Sequence, residues 1–192
     1  GGNLQQRIDR EGPLEIAEII RIGLQIAEGL VAAHHQGVIH RDIKPANILI
    51  EEGNGRVLIS DFGLARALDD ASLTMSGMIA GTPQFMSPEQ ARGEVIDARS
   101  DLYSLGSLLY TLATGRPPFR AETPLAVLRK ISETTPRPIH VINEQMPPWL
   151  DRLVGFLMQN EVSKRIGTAE DAVCLLRDTH AHVRNPAANP FP

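Results

Sequence analysis

Between Pro13 and Gly37 the apolar residues Ile16, Ile19, Ile20, Leu24, Ala27, Leu30 and Val31 recur at three- and four-residue steps. That spacing predicts a long helix with one buried stripe, with Pro13 suited to its first turn and Gly37 to its stop. The period then shortens. Ile48-Leu49-Ile50 and Val57-Leu58-Ile59 read as short strands, and Asn54-Gly55 between them is a hairpin-turn signal. Pairing about Asn54 places residues summing to about 108 opposite each other, which brings Asn47 beside Asp61 at the open end of the hairpin. Residues 64–98 hold no sustained period, and a loop of that length in a compact domain is usually functional or disordered. Ser100 to Gly115 follows with Leu102, Leu105, Leu108, Leu109 and Leu112 around most of its circumference, as expected of a central helix. Three further helices are predicted: Pro124–Glu133 capped by Thr123, Pro148–Gln159, and Thr168 to about His182, where Asp171 follows Thr168 nearly as a capping box does. Residues 184–192, with three prolines, read as a tail or linker. The fold class is mainly α with a small β-hairpin.

Composition narrows the function. At 192 residues with 42% hydrophobic, the chain suits one compact domain or a large piece of one, not a disordered segment. Nineteen Lys and Arg against 23 Asp and Glu give a net charge of −4, and the cations are scattered, which offers no electrostatic case for nucleic acid or an acidic membrane. The single cysteine, Cys174, excludes a disulfide scaffold and a cysteine-rich zinc module and fits a reducing, cytoplasmic setting. No apolar stretch approaches the roughly 18 residues that span a bilayer, which leaves any membrane anchor to a larger parent.

The chemistry is concentrated in His40-Arg41-Asp42-Ile43-Lys44-Pro45-Ala46-Asn47 and in Asp61-Phe62-Gly63, directly off the second strand. Phosphoryl transfer needs a carboxylate to orient and accept the proton of an attacking hydroxyl, and hard oxygen ligands to hold Mg²⁺ against nucleotide phosphates. Asp42 suits the first task, and Asn47 with Asp61 the second. Lys44 can bring a point charge to the phosphate being transferred. Any one of these residues alone reads as an ordinary loop acid, turn residue, strand cap or core histidine. Seven specified residues in order, on a hairpin that gathers them, do not.

This constellation resembles the C-terminal, larger lobe of the eukaryotic-like (Hanks-type) serine/threonine protein kinases over residues 1–183, and bacterial members most. Gly81-Thr82-Pro83-Gln84-Phe85-Met86-Ser87-Pro88-Glu89 looks like the peptide-binding loop that closes the activation segment (61–89), with Ser87 in place of Ala. Asp101-Leu102-Tyr103-Ser104-Leu105-Gly106 is similar to the family's Asp-x-Trp-Ser-x-Gly, with Tyr103 for Trp, and Pro88-Glu89-Gln90-Ala91-Arg92-Gly93 has bacterial wording. The resemblance implies ATP and Mg²⁺ as cofactors and proteins bearing Ser or Thr as substrates, because Lys44 and Thr82 mark that branch. It implies that Leu49, with Leu108 and Leu112, lies beneath the adenine, and that Phe62 and His40 form the lower half of a second apolar column. Arg41 before Asp42 implies control by activation-loop phosphorylation, with Thr74 and Ser76, and Ser72 behind them, as the acceptors. It further implies that Asp101 receives backbone N–H groups of the His40-Arg41-Asp42 turn, and that Glu89 and Arg165 form a buried ion pair.

No Gly-x-Gly-x-x-Gly occurs, and the lysines other than Lys44, Lys130 and Lys164, both follow the activation segment. Gly1-Gly2-Asn3-Leu4 resembles the stretch just past the hinge between lobes, so the expectation is a larger lobe with the N-terminal lobe absent. Such a piece is expected to bind Mg-ATP weakly, to be inactive alone, and to self-associate through the apolar patch where the smaller lobe docks. Two other readings stand beside it. One is a pseudokinase or scaffold module; the other is a small-molecule phosphotransferase, which the peptide-docking segment from Gly81 to Glu89 disfavours.

Overall fold

The computed structural model describes residues 2–62 and 83–191 and opens on two elements that the apolar pattern does not predict. Gly2–Asn3 forms β1, and Leu4–Glu11 forms the 8-residue helix α1. Only Leu4 and Ile8 of α1 are buried, too sparse a stripe to read among polar neighbours. Asn3 caps the helix reciprocally with Gln6, satisfying otherwise orphaned backbone donors. Helix α2 then spans Ile16–His35 and buries Ile19, Ile20, Ala27 and Leu30 of the predicted stripe, whereas Ile16, Leu24 and Val31 are only partly buried. Ile22 and Ile26, outside that stripe, are fully buried, because α2 is covered on more than one side. It starts three residues after Pro13 because Pro13-Leu14 is held against the end of another helix, with Leu14 N–H donating to the Leu112 carbonyl at 2.8 Å.

Strands β2 (Ile48–Ile50) and β3 (Val57–Ile59) form the predicted hairpin, and β1 adds to its outer edge, giving an antiparallel sheet in the order β1-β2-β3. The register pairs Ile48 with Ile59, Leu49 with Leu58 and Ile50 with Val57. Paired numbers sum to 107 rather than 108, so Asn47 lies opposite Ser60 and not Asp61. The connection is a six-residue loop, closed by Glu51 N–H on the Arg56 carbonyl at 2.9 Å, and Gly55 takes φ of 65° there, a region that glycine enters without strain.

After the undescribed stretch, α3 covers Pro88–Arg92. Helix α4, Arg99–Thr114, is the centre of the molecule, with every residue from Ser100 to Thr114 buried. Helices α5 (Pro124–Glu133), α6 (Ile139–Ile142), α7 (Trp149–Leu157) and α8 (Ala169–Arg184) surround it. Thr123 caps α5 and Thr168 caps α8, each hydroxyl accepting a backbone N–H. The short α6 has no periodic signal because one turn cannot show one. α2 packs along α4 and α8 and against β3, and α4 reaches the loop 40–47 through Asp101. Beyond α8, Phe191 returns to stack on Trp149 with ring centroids 5.2 Å apart. Among the described residues no helix is long and apolar enough to cross a membrane.

Candidate active site

A 3₁₀ turn at Pro45–Asn47 carries the chain from the loop into β2 and delivers Asn47, itself buried, to the underside of Asp42. Both N–H bonds of the Asn47 amide are used: Nδ2 donates to the Asp42 carbonyl and to Asp42 Oδ2, each at 2.9 Å. Lys44 Nζ meets the same Oδ2 at 2.7 Å. Asp42 Oδ1 and Asn47 Oδ1 accept no hydrogen bond from the described residues. The loop thus pins one carboxylate oxygen from two sides and leaves the other, on a half-exposed side chain, to face outward.

Ser60 completes the link to Asp61. Its N–H donates to the Asn47 carbonyl at 2.9 Å, and its hydroxyl lies 3.1 Å from that carbonyl and 3.0 Å from Asp61 Oδ2. In this register Asp61 would alternate to the other face of the hairpin. It instead takes φ of 64°, leaves the strand path, and stands exposed beside Ser60. Positive φ in a non-glycine residue costs on the order of 1–3 kcal/mol, and such residues cluster at functional sites. Ser60 was legible in principle, since it follows from the register once the sum is 107.

The second positive-φ residue is Arg41, at 67°. Its N–H donates to Asp101 Oδ1 at 2.7 Å, while Asp101 Oδ2 accepts the His40 N–H at 2.9 Å and faces His34 Nε2 at 2.8 Å. Asp101, at 0% exposure, therefore has both oxygens engaged. The Asp42 N–H goes elsewhere, to His40 Nδ1 at 3.2 Å, and His40 Nε2 lies 2.8 Å from the Ser60 carbonyl. With Nδ1 accepting and Nε2 donating, the buried His40 ring is a neutral tautomer tying Asp42 to Ser60. His34 carries no sequence signal for this role, because packing alone brings it to a carboxylate 67 residues away.

Glu89 and Arg165 lie together in the core, 2.7 Å apart at Oε1 and 3.0 Å at Oε2, with Ser100 Oγ donating to Oε1 at 2.6 Å. Burial pushes the Glu89 carboxyl upward, but the Arg165 fork, the Ser100 hydroxyl and its own backbone outweigh it and hold the group at about 2. Arg165 also donates to the Gln159 and Arg99 carbonyls and lies over the Tyr103 ring. The Tyr103 hydroxyl, also buried, has no hydrogen-bond partner among the described residues, and burial raises its pKa well above the usual tyrosine range.

Leu49 is 40% exposed on the open face of the sheet, where Gly2, Ile50, Glu51 and Leu58 join it around a depression of about 240 Å³. Leu108 and Leu112 are fully buried below. Phe62 meets His40 edge to face at 4.7 Å and is otherwise half-exposed. Thr74, Ser76 and Thr82, with Ser72 and Gly63, lie outside the described residues. A larger cavity of about 350 Å³, walled by Tyr110, Pro136, Ile139, Val154 and Met158 among others, includes no residue of the loop 40–47.

Among the described residues no three His, Cys, Asp or Glu converge as a preformed metal cage requires. The donors at hand are one amide oxygen and one carboxylate, a set that suits Mg²⁺, which usually takes one or two protein oxygens and completes its shell with water and phosphate. Because both Asn47 N–H bonds point at Asp42, Oδ1 is the atom left to face a cation, so Asn47 and Asp61 fit that group.

Residues 1–175 match the family described as protein kinase domain. A probable serine/threonine-protein kinase of Corynebacterium efficiens is 38% identical over 201 residues, covering 97% of this chain and 30% of the relative. The serine/threonine-protein kinase PknB of Mycolicibacterium smegmatis is 40% identical over 173 residues, covering 89% and 28%. The chain thus spans less than a third of the length of these relatives. Among solved structures, a crystal structure of Rad53 1-466 in complex with AMP-PNP superposes with a TM-score of 0.75 at 27% identity, over 90% of this chain and 43% of the other.

Proposed function

Since the chain belongs to the protein kinase domain family, we propose that it forms the catalytic larger lobe of a serine/threonine protein kinase that transfers the γ-phosphoryl group of Mg-ATP to protein hydroxyls. The observation that carries this reading is the pinning of Asp42 Oδ2 by Asn47 and Lys44, with Oδ1 accepting no hydrogen bond from the described residues. Oδ1 is placed to accept a hydrogen bond from the Ser or Thr hydroxyl and, as its oxygen bonds to the γ-phosphorus and the bond to the ADP oxygen breaks, to take the proton. Lys44 pairs with Asp42 Oδ2 at rest and offers charge to the phosphoryl oxygens. Asn47 and Asp61 would hold Mg²⁺, which when bound offsets phosphate charge. Leu49 offers an apolar floor to the adenine, Arg41 would receive the phosphate of a modified Thr74 or Ser76, and Thr82 would help shape the site.

The 192 residues contain neither Gly-x-Gly-x-x-Gly nor Val-Ala-Ile-Lys, so on this reading they transfer phosphate negligibly by themselves and need a smaller lobe as partner. The exposed face that would meet that lobe favours self-association of the isolated stretch. The test is radiolabelled ATP offered to the full-length protein with a generic basic protein, an aminoglycoside and choline. Label is expected on Ser and Thr of the protein, and Asp42→Asn is expected to lower transfer by at least about 10²-fold with the fold intact. Undiminished autophosphorylation by the variant, or label on the small molecules alone, would contradict the assignment.

A further inference from the structure

The backbone plane that leads into Asp42 is gripped at both edges, and one grip comes from outside the loop. The Arg41 carbonyl and the Asp42 N–H belong to the same peptide unit; the N–H donates to His40 Nδ1 at 3.2 Å, and the carbonyl accepts from Gln90 Nε2 at 2.9 Å. Gln90 lies 49 residues away on α3. Its other amide atom, Oε1, accepts the Ser87 N–H at 2.9 Å and the Ser87 hydroxyl at 3.1 Å, while its own N–H faces Ser87 Oγ at 3.4 Å. Donors on one side and an acceptor on the other fix which way the amide is turned.

A helix cap of this kind needs only an acceptor at the third helical position, and Glu serves there as well as Gln. Only the amide has an N–H left for Arg41. The neighbouring Glu89 is anchored to Arg165 in the core, so α3 is a firm base from which to hold a loop whose Arg41 stands at φ of 67°. We propose that Gln90 is a positioning residue of the active site: it clamps the left-handed Arg41 peptide from α3 and thereby sets the direction in which Asp42 projects.

The consequence for catalysis rests on the kinase reading above; the clamp itself does not. Gln90→Glu separates the two roles of the side chain in the full-length protein, because it keeps the cap and turns a carboxylate toward the Arg41 carbonyl. If Gln90 only caps α3, this variant matches the wild type. If it positions the loop, the thermal midpoint falls by less than in Gln90→Met, while amide exchange at His40, Arg41 and Asp42, followed by mass spectrometry, speeds up by about tenfold, the equivalent of one lost hydrogen bond with an opposed acceptor. kcat then falls by about tenfold with KM for ATP within twofold, and Gln90→Met, which removes cap and clamp together, shows the same kinetic loss with a lower midpoint. Wild-type exchange and wild-type kcat in Gln90→Glu would overturn the proposal. Faster exchange in the variant of a protein that transfers no phosphate would uphold the clamp and remove the kinase reading instead.

Discussion

Two sets of carboxylates in this lobe share a chemistry and differ in how much of it is spent. In the core, Glu89 has Arg165 on both oxygens and Ser100 on one, and Asp101 has Arg41 on one oxygen and His40 and His34 on the other. At the surface, Asp42 and Asp61 each use Oδ2, and Oδ1 accepts no hydrogen bond from the described residues. The saturated pair is buried and the unsaturated pair is not. A buried acceptor without a donor costs stability, so these core carboxylates are fully engaged, while on the proposed reading a site that receives a hydroxyl or a cation keeps one oxygen free and holds it where water can reach it in the meantime.

The largest effect that tests this contrast is Arg165→Ala, which strands Glu89 in the core and is expected to lower unfolding free energy by about 3–5 kcal/mol in urea denaturation. A loss under about 1 kcal/mol would show that Glu89 is not enclosed as described. Next is acid. Glu89 is depressed from an ordinary 4.5 to about 2 in the folded state, so the unfolded chain binds the proton first as pH falls. The stabilisation is whole above about pH 4.5 and is lost on the way down to about 2, on the order of 3 kcal/mol in all. Glu89→Gln should flatten the urea midpoint over that window relative to wild type. Smaller, and of opposite sign, is Tyr103→Phe, which removes an orphaned hydroxyl and is expected to be neutral or to stabilise by about 1 kcal/mol. A clear destabilisation would mean that the hydroxyl has a partner after all. Smallest is the effect of Asp42→Asn on stability, under about 1 kcal/mol by thermal melting, because the Asp42 side chain and its Lys44 partner are both partly solvent-exposed.

Much of the site was legible because it is local. Asp42, Lys44 and Asn47 lie within six residues, and strand period with a turn signal brings Asp61 near. The same period misplaced Asp61 by one position, since pairing arithmetic from Asn54 does not know where a six-residue loop begins and ends; the left-handed turn at Asp61 and the Ser60 bridge supply what register alone does not. The peptide contacts of Asp101 were anticipated by resemblance rather than by pattern, and the third member of the turn, Asp42, turns out to donate to His40. Helix α1 was missed for want of a stripe, and α6 for want of length.

What the amino-acid order determined by itself is whatever repeats or sits close along the chain: the helices α2 and α4, the hairpin, the caps at Thr123 and Thr168, and the run of residues suited to phosphoryl transfer. Tertiary structure decided which distant groups meet. Gln90 and Arg41, His34 and Asp101, and Glu89 and Arg165 are 49, 67 and 76 residues apart. Hydrogen bonds act over about 3 Å and carry no periodicity, so only the packing of helices around α4 determines which donors come within that reach.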